Sequence, residues 1–289
     1  MTTASADFVY GFRPFILCSL PYRKPAHPLQ PWVRRNGATE VRILPHPNYG
    51  LPYGQDRLIA LLAATLAVIQ NSRVIEIGSH YGTLGMFGLG LNGRNYARWE
   101  ERWQRVAGAT IETVDFPDEH RPFPVMRRFR LFDSVRLWFE DEKRHRRFDN
   151  RVTLSQEFWR ELCAHPVPAP LAAVRKLASS PSHLDFYLWL KMCCPTIHTG
   201  RFARFPLHGA KGLARHLGTS PDMPAREFRR SVDEWLETAR TVWPACPAMF
   251  STDRKELLLW RLPAVHSKLA KPFLEATRRA QYVGVAAGG

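Results

Sequence analysis

Residues 53–106 read YGQDRLIALLAATLAVIQNSRVIEIGSHYGTLGMFGLGLNGRNYARWEERWQRV, and the fold turns on where this stretch changes period. Its first part is a strongly apolar helical run that stops at Asn71-Ser72, a polar pair suited to a helix end. RVIEIG then alternates like a strand. Gly78-Ser79 opens a short, glycine-rich helical segment that reaches about Leu91. In the last part Tyr96, Trp99, Trp103 and Val106 recur at steps of three and four, on one helical face. Arg94, Arg98, Arg102 and Arg105 recur at the same steps, roughly 120° around the axis. One face suits a core and the other suits something negative.

Two β-like runs follow, ATIETVDF and RRFRLFDSVRLWFE. The order is therefore helix, strand, helix, helix, strand, strand. The same order returns downstream. Residues 170–193 read as helix, interrupted around Ser179-Pro181, RFARFPL as a short strand, and HGAKGLARHLG (208–218) as a short helix. PAREFRRSVDEWLETARTVW carries Pro224 at a favourable first-turn position and an apolar stripe of Phe228, Val232, Trp235, Leu236, Ala239 and Trp243. CPAMFSTDRKELLLWRLP then gives two strands around a Thr252-Asp253 turn. This is the element order of a winged helix, in which the third helix enters the major groove and the hairpin, or wing, touches the backbone. The predicted class is α+β, mostly helical, with two tandem winged-helix domains. The predicted layout is an extended, Pro- and aromatic-rich arm over 1–50, a first domain over 51–165, a second over 166–264 and a tail over 265–289.

Charge points the same way. The 289 residues hold 41 Lys plus Arg against 26 Asp plus Glu, a formal net charge of +15, and such a field attracts polyanions. The longest apolar run, Leu58 to Ile69, is about twelve residues where a membrane span needs about twenty. No basic, then apolar, leader is visible at the N-terminus, so a cytoplasmic protein is expected. The five cysteines form no CxxC pair, and no histidine spacing suggests a metal; reduced core thiols are expected and no metal site.

Motifs for chemistry are weak. VIEIGSHYG (74–82) resembles the nucleotide loop of S-adenosylmethionine-dependent methyltransferases, with His80 in place of the middle glycine. GLGLNG (88–93) matches G-x-G-x-x-G by letter, yet it does not follow a strand directly, and two helices break the βαβ unit that such a loop requires. No phosphate-binding loop with its lysine occurs. Asp185 lies on a helix among large apolar residues, and Asp115 and Asp118 flank a turn, none with an evident catalytic partner. No catalytic residue and no cofactor are expected, and the chain reads as a binder rather than an enzyme. Solvated surface ion pairs explain part of the arginine pattern, since Glu101 sits three after Arg98 and four before Arg105. The basic run KRHRR (143–147) serves equally as a phosphate contact or a solvated linker.

The stretches GLPYGQDRLIALLAATLAVIQNSRVIEIG, NYARWEERWQRVAGATI, RFRLFDSVRLWF, VTLSQEFWRELCAHPVPAPLAAVRKLASSPSHLDFYLWLKM and REFRRSVDEWLETARTVWP together resemble the RepA family of plasmid replication initiators, in order from about Gly50 to Trp260. The resemblance implies a protein that binds repeated double-stranded sequences, or iterons, at a plasmid origin. It implies partners as well: the host initiator DnaA, a DnaB-type replicative helicase, and a second copy of the chain in a self-dimer. It places recognition helices at 93–107 and 224–243. On these, Arg94, Asn95, Arg98, Arg226 and Arg230 are the expected base readers, because recognition helices present their N-terminal residues to base edges. Arg102, Arg105, Lys211, Arg215 and Arg229 are expected on phosphates, as are the wing residues Arg127, Arg128, Arg130, Arg254 and Lys255. A winged-helix transcriptional repressor needs the same surfaces and is the alternative; a methyltransferase is the remaining one.

Overall fold

The computed structural model of the chain describes residues 7–117, 122–137, 150–198, 201–209, 211–218 and 223–261. It begins with strand β1 (Phe8–Gly11), helix α1 (Arg13–Leu17) and strands β2 (Trp32–Asn36) and β3 (Thr39–Leu44). Helix α2 (Arg57–Gln70), strand β4 (Val74–Glu76), helix α3 (His80–Met86) and helix α4 (Gly93–Gly108) follow. Strands β5 (Thr110–Asp115), β6 (Val125–Arg130), β7 (Phe132–Arg136) and β8 (Arg151–Leu154) lead to helix α5 (Gln156–Ala164), strand β9 (Val167–Pro170) and helix α6 (Leu171–Leu177). The remainder is helix α7 (Pro181–Cys193), strand β10 (Phe202–Pro206), helices α8 (Ala214–Leu217) and α9 (Ala225–Val242), and strands β11 (Ala248–Phe250) and β12 (Glu256–Trp260). The class is α+β.

The helices end where their chemistry says they must. Asn71 adopts the left-handed conformation (φ +46°) that closes α2, as asparagine tolerates better than most residues. Ser79, Asn92 and Ser155 cap α3, α4 and α5 by accepting a backbone N–H three residues on. Nearly all of α2 from Arg57 to Thr65 is buried, so this helix is the axis around which the first half packs. Trp99, Trp103 and Val106 of α4 are buried against it as their spacing predicts, with Tyr96 half-buried at the end of the row.

Strand pairing shows an order that helix periodicity cannot. Among the described residues there are four sheets, with orders β1-β9, β2-β3-β5-β6, β4-β8-β7 and β10-β12-β11. The strand between α2 and α3 pairs with β8, which pairs with β7. The strand between α7 and α8, β10, pairs with β12, which pairs with β11. Both units therefore put their first strand against the last strand of their hairpin.

Three expectations are corrected. First, residues 8–44 are not an extended arm. β1 pairs with β9, β3 pairs with β5, and Val9, Phe12, Phe15, Ile16, Cys18 and Leu20 join the core. Second, RRFRLFDSVRLWFE is not one strand. It splits at buried Leu131 into β6, which pairs with β5, and β7, which pairs with β8. The first unit's hairpin is thus β7–β8, and β5–β6 completes a separate sheet with β2 and β3. Third, only Ala214–Leu217 of 208–218 is helical. Asp118, the run 143–147 and the expected tail 265–289 lie outside the described residues.

One buried cluster runs through both halves. Two arginines tie them. Arg34 of β2 donates to the carbonyls of Arg215 (3.2 Å) and Gly218 (2.6 Å), at the C-terminal end of α8, where a cation meets the negative end of the helix. Arg57 of α2 is held to Asp185 of α7 at 3.2 Å and donates to the carbonyls of Pro181 and Leu20. Asp185 is therefore the buried counter-ion of Arg57, a structural role. Burial pushes its carboxyl up to about 7, and Arg57 opposes the rise only in part.

Candidate nucleic-acid interface

The arginine row of α4 divides along its length. Arg94 and Arg98, in the first half, are exposed. Arg102 is only 7% exposed and donates to the side chain of Gln55, with Asp56 3.9 Å away. Arg105 grips Asp56 with two bonds, Nε to Oδ2 at 2.6 Å and Nη2 to Oδ1 at 3.1 Å, and its guanidinium lies 4.6 Å from the centre of the Tyr53 ring. Asp56 also accepts the backbone N–H of Tyr53 at 2.9 Å, just ahead of α2. The negative partner of this half of the row is inside the protein. Arg102 and Arg105 are accordingly corrected from phosphate contacts to the clasp between α4 and the start of α2, because their guanidinium groups are largely out of solvent and turned to Gln55 and Asp56.

Asn95 has a local task. Its amide donates to the carbonyl of Gly90 (2.8 Å), and its backbone N–H is accepted by Asn92 (2.9 Å). The side chain therefore braces the loop between α3 and α4, which leaves its amide oxygen as the group able to accept from a base edge.

The three expected wing arginines of the first unit sit elsewhere. Arg127, Arg128 and Arg130 lie on β6, in the sheet with β2, β3 and β5, and not on the hairpin beside β4. Arg127 pairs with Asp115 at 2.9 Å and Arg128 with Glu112 at 3.4 Å, both across the β5–β6 ladder. Arg130 is exposed. The wing assignment for these three is corrected, because β6 belongs to a different sheet from the β7–β8 pair that lies beside β4. In their place the pairing brings forward Arg136 and Arg151, exposed residues directly opposite each other on β7–β8. Arg151 also has Glu76 of β4 at 3.6 Å. Arg136 and Arg151 flank the run 143–147, and that basic run is the one signal by which a sequence reader finds them.

In the second unit Arg226 is exposed at the start of α9, with Arg229 half-buried beside it. Arg230 is exposed and pairs with Glu234 one turn on at 3.0 Å, a contact that water screens and a phosphate can displace. Lys211 and Arg215 project from the segment before α9, and both are exposed. Arg254 and Lys255 sit at the β11–β12 turn. Arg254 takes positive φ (+54°), pairs with Asp233 of α9 and lies 4.4 Å from the Phe250 ring centre. Here the hairpin tip and the long helix are joined by an ion pair.

Arg175 of α6 was missed by helix-face reasoning on α4. It donates through Nε to the carbonyl of Met86 (2.7 Å), at the end of α3, and remains exposed. Lys176 is exposed next to it. No group of histidine, cysteine and carboxylate side chains among the described residues is arranged to hold a metal ion, and no described helix is long and apolar enough to cross a membrane. The GLGLNG stretch forms the loop between α3 and α4, and β4 is antiparallel to β8, so the arrangement around it is not that of a dinucleotide-binding βαβ unit.

A family described as plasmid-encoded RepA protein matches residues 51–205, more than half of the chain. No curated protein matches it. Among solved structures, selenomethionine derivatives of domains 2 and 3 of RctB are similar, with a TM-score of 0.50 at 13% identity over 75% of this chain and 79% of that one. A second crystal structure of RctB domains 2–3 gives 0.46 at 13% identity, over 72% and 76%. At that identity the first likeness speaks to the fold alone.

Proposed function

Because the chain belongs to the RepA family of plasmid-encoded proteins, and is a replication initiator by that membership, we propose that it binds repeated double-stranded sites at an origin through two winged-helix units. α4 and α9 are the recognition helices, and the β7–β8 and β11–β12 hairpins are the wings. The observation that carries this reading is the repeated arrangement: in both units a helix, a strand and two helices precede a strand pair whose last strand takes the unit's first strand as neighbour, with β5 and β6 inserted ahead of that pair in the first unit, and each unit exposes arginines at the start of its longest late helix. Bound DNA then recruits the host initiator and replicative helicase. The chain itself acts by binding, with no chemistry of its own, and a self-dimer belongs to the same picture.

In this reading Arg94, Arg98 and Arg226 meet base edges, where an arginine fork matches guanine. Arg136, Arg151, Lys211, Arg215, Arg254 and Lys255 meet the backbone. Neutralising about six phosphates gives a log–log salt slope near −5. The test is a footprint on the DNA flanking the protein's own gene at two salt concentrations. Protection of several direct repeats in register supports an initiator. A single protected inverted repeat means a repressor instead.

A further inference from the structure

The loop between α3 and α4 holds an apolar side chain out of the protein. Leu91 is 60% exposed, one residue before the cap Asn92. A hydrophobic residue at that position commonly folds back onto the fourth residue of the helix, here Tyr96. In this chain Tyr96 is instead packed against Tyr81 (ring centres 5.2 Å apart) and edge-on to His80 (5.8 Å).

The exposure is not slackness in the loop. Gly88 takes positive φ (+67°), and the Leu89 N–H returns to the carbonyl of Leu84 at 3.0 Å. Asn95 holds the Gly90 carbonyl, and a Cβ on Gly90 would lie 3.1 Å from the Asn95 amide nitrogen. Arg175 braces the loop from α6 through the Met86 carbonyl. Every residue around Leu91 is therefore tied down while Leu91 itself stays in water.

The charges along this stretch of chain have one sign. No acidic residue occurs between Gly78 and Arg98 in the sequence, and exposed Arg94, Arg98 and Arg175 surround the loop's two ends. An apolar tip set among cations fits an apolar group that is itself set among phosphates. In the major groove that group is the C5-methyl of thymine. We infer that Leu91 is a specificity-determining residue that packs on a thymine methyl at one position of the recognised repeat.

This rests on α4 lying in the major groove as proposed above. Burying one methyl is worth about 0.8 kcal/mol, close to a fourfold change in affinity. The experiment replaces each thymine of one protected repeat by deoxyuridine, singly, and measures binding of the wild-type chain and of Leu91→Ala. Wild type is expected to lose about fourfold at one thymine near the Arg94 contact. Leu91→Ala is expected to bind several-fold more weakly and to be indifferent to uracil at that position, a coupling that a purely structural role would not produce. Its melting temperature should match wild type, since the side chain is mostly in solvent. Protected repeats whose uracil sensitivity is the same in both proteins, or absent from wild type, overturn the inference and leave the proposed function standing. A chain that protects no specific site overturns both.

Discussion

Arg105 and Asp56, 49 residues apart, form a two-bond ion pair in which only 11% and 1% of the respective side chains remain exposed. A row of arginines that reads as one DNA-facing stripe thus has its second half turned to an internal carboxylate. Removing Asp56 leaves Arg105 only the exposed carboxylate of Glu101 at 3.4 Å, and breaking a buried pair costs about 3–5 kcal/mol. Asp56→Ala is expected to lower the unfolding free energy obtained from urea denaturation by an amount in that range. An unfolding curve that overlays wild type would contradict the clasp.

The division of the row gives a second expectation. Arg94→Ala and Arg98→Ala should each weaken binding to the protected repeat by about 1–3 kcal/mol while leaving the unfolding free energy within about 0.5 kcal/mol of wild type. Arg102→Ala should do the reverse, because its guanidinium serves Gln55 and Asp56. Parallel binding and denaturation measurements on the three variants separate the two roles.

Stability should depend on pH through His216. Burial, helped by Arg34, pushes its imidazole down to about 3. The folded chain keeps this ring neutral while the unfolded chain takes up a proton below about 6.5. Its contribution is therefore complete above 6.5 and is lost as pH falls from there toward 3, at up to about 1.4 kcal/mol per pH unit. Asp185 acts in the opposite direction: with its carboxyl raised to about 7, its contribution is complete below about 4 and is lost as pH rises through 7. The difference between wild type and His216→Phe isolates the first effect. That difference should shift between pH 7 and pH 5 in favour of the variant, and a constant difference would count against a neutral buried imidazole.

The segment leading into α8 depends on a close approach. A Cβ at Gly212 would lie 2.4 Å from the carbonyl carbon of His208 and 2.5 Å from its Cα, and backbone cannot step aside as a side-chain tip can. Gly212→Ala is expected to destabilise the chain by about 1–3 kcal/mol, the usual cost of overpacking. Since Lys211 and Arg215 bracket this turn, the same variant should also weaken DNA binding. A melting curve and an affinity that both match wild type would show that the turn relaxes freely.

Legibility in the sequence followed the range of the interactions. α2, α4 and α9 are long and periodic, so the pattern of Trp99, Trp103 and Val106, or of Phe228, Val232 and Trp235, places their buried faces without any partner being known. The strands of the second unit, bounded by Pro206, Thr252 and Asp253, were equally readable. The N-terminal strands were not: Val9 meets Ala169 and Val41 meets Thr113, partners that no local period reveals. The break at Leu131 was hidden for a related reason, because the two flanking strands run on in one extended stretch and differ in their partners, β5 for one and β8 for the other. Arg102 and Arg105 were misplaced because α4 crosses the turn at Gln55-Asp56, a tertiary contact that leaves no mark on the helix's own spacing. Leu91 carried a sign in the glycines around it, whereas Arg175 carried none, since its role depends on α6 meeting the end of α3.

The central claim is that two helices of one chain, α4 and α9, read one repeat together. Hydroxyl-radical footprints of wild type, Arg94→Ala and Arg226→Ala on a single repeat test it most directly. Wild type is expected to protect two segments separated by about one helical turn, with each variant losing a different one. A single protected segment, or the same loss from both variants, would contradict it.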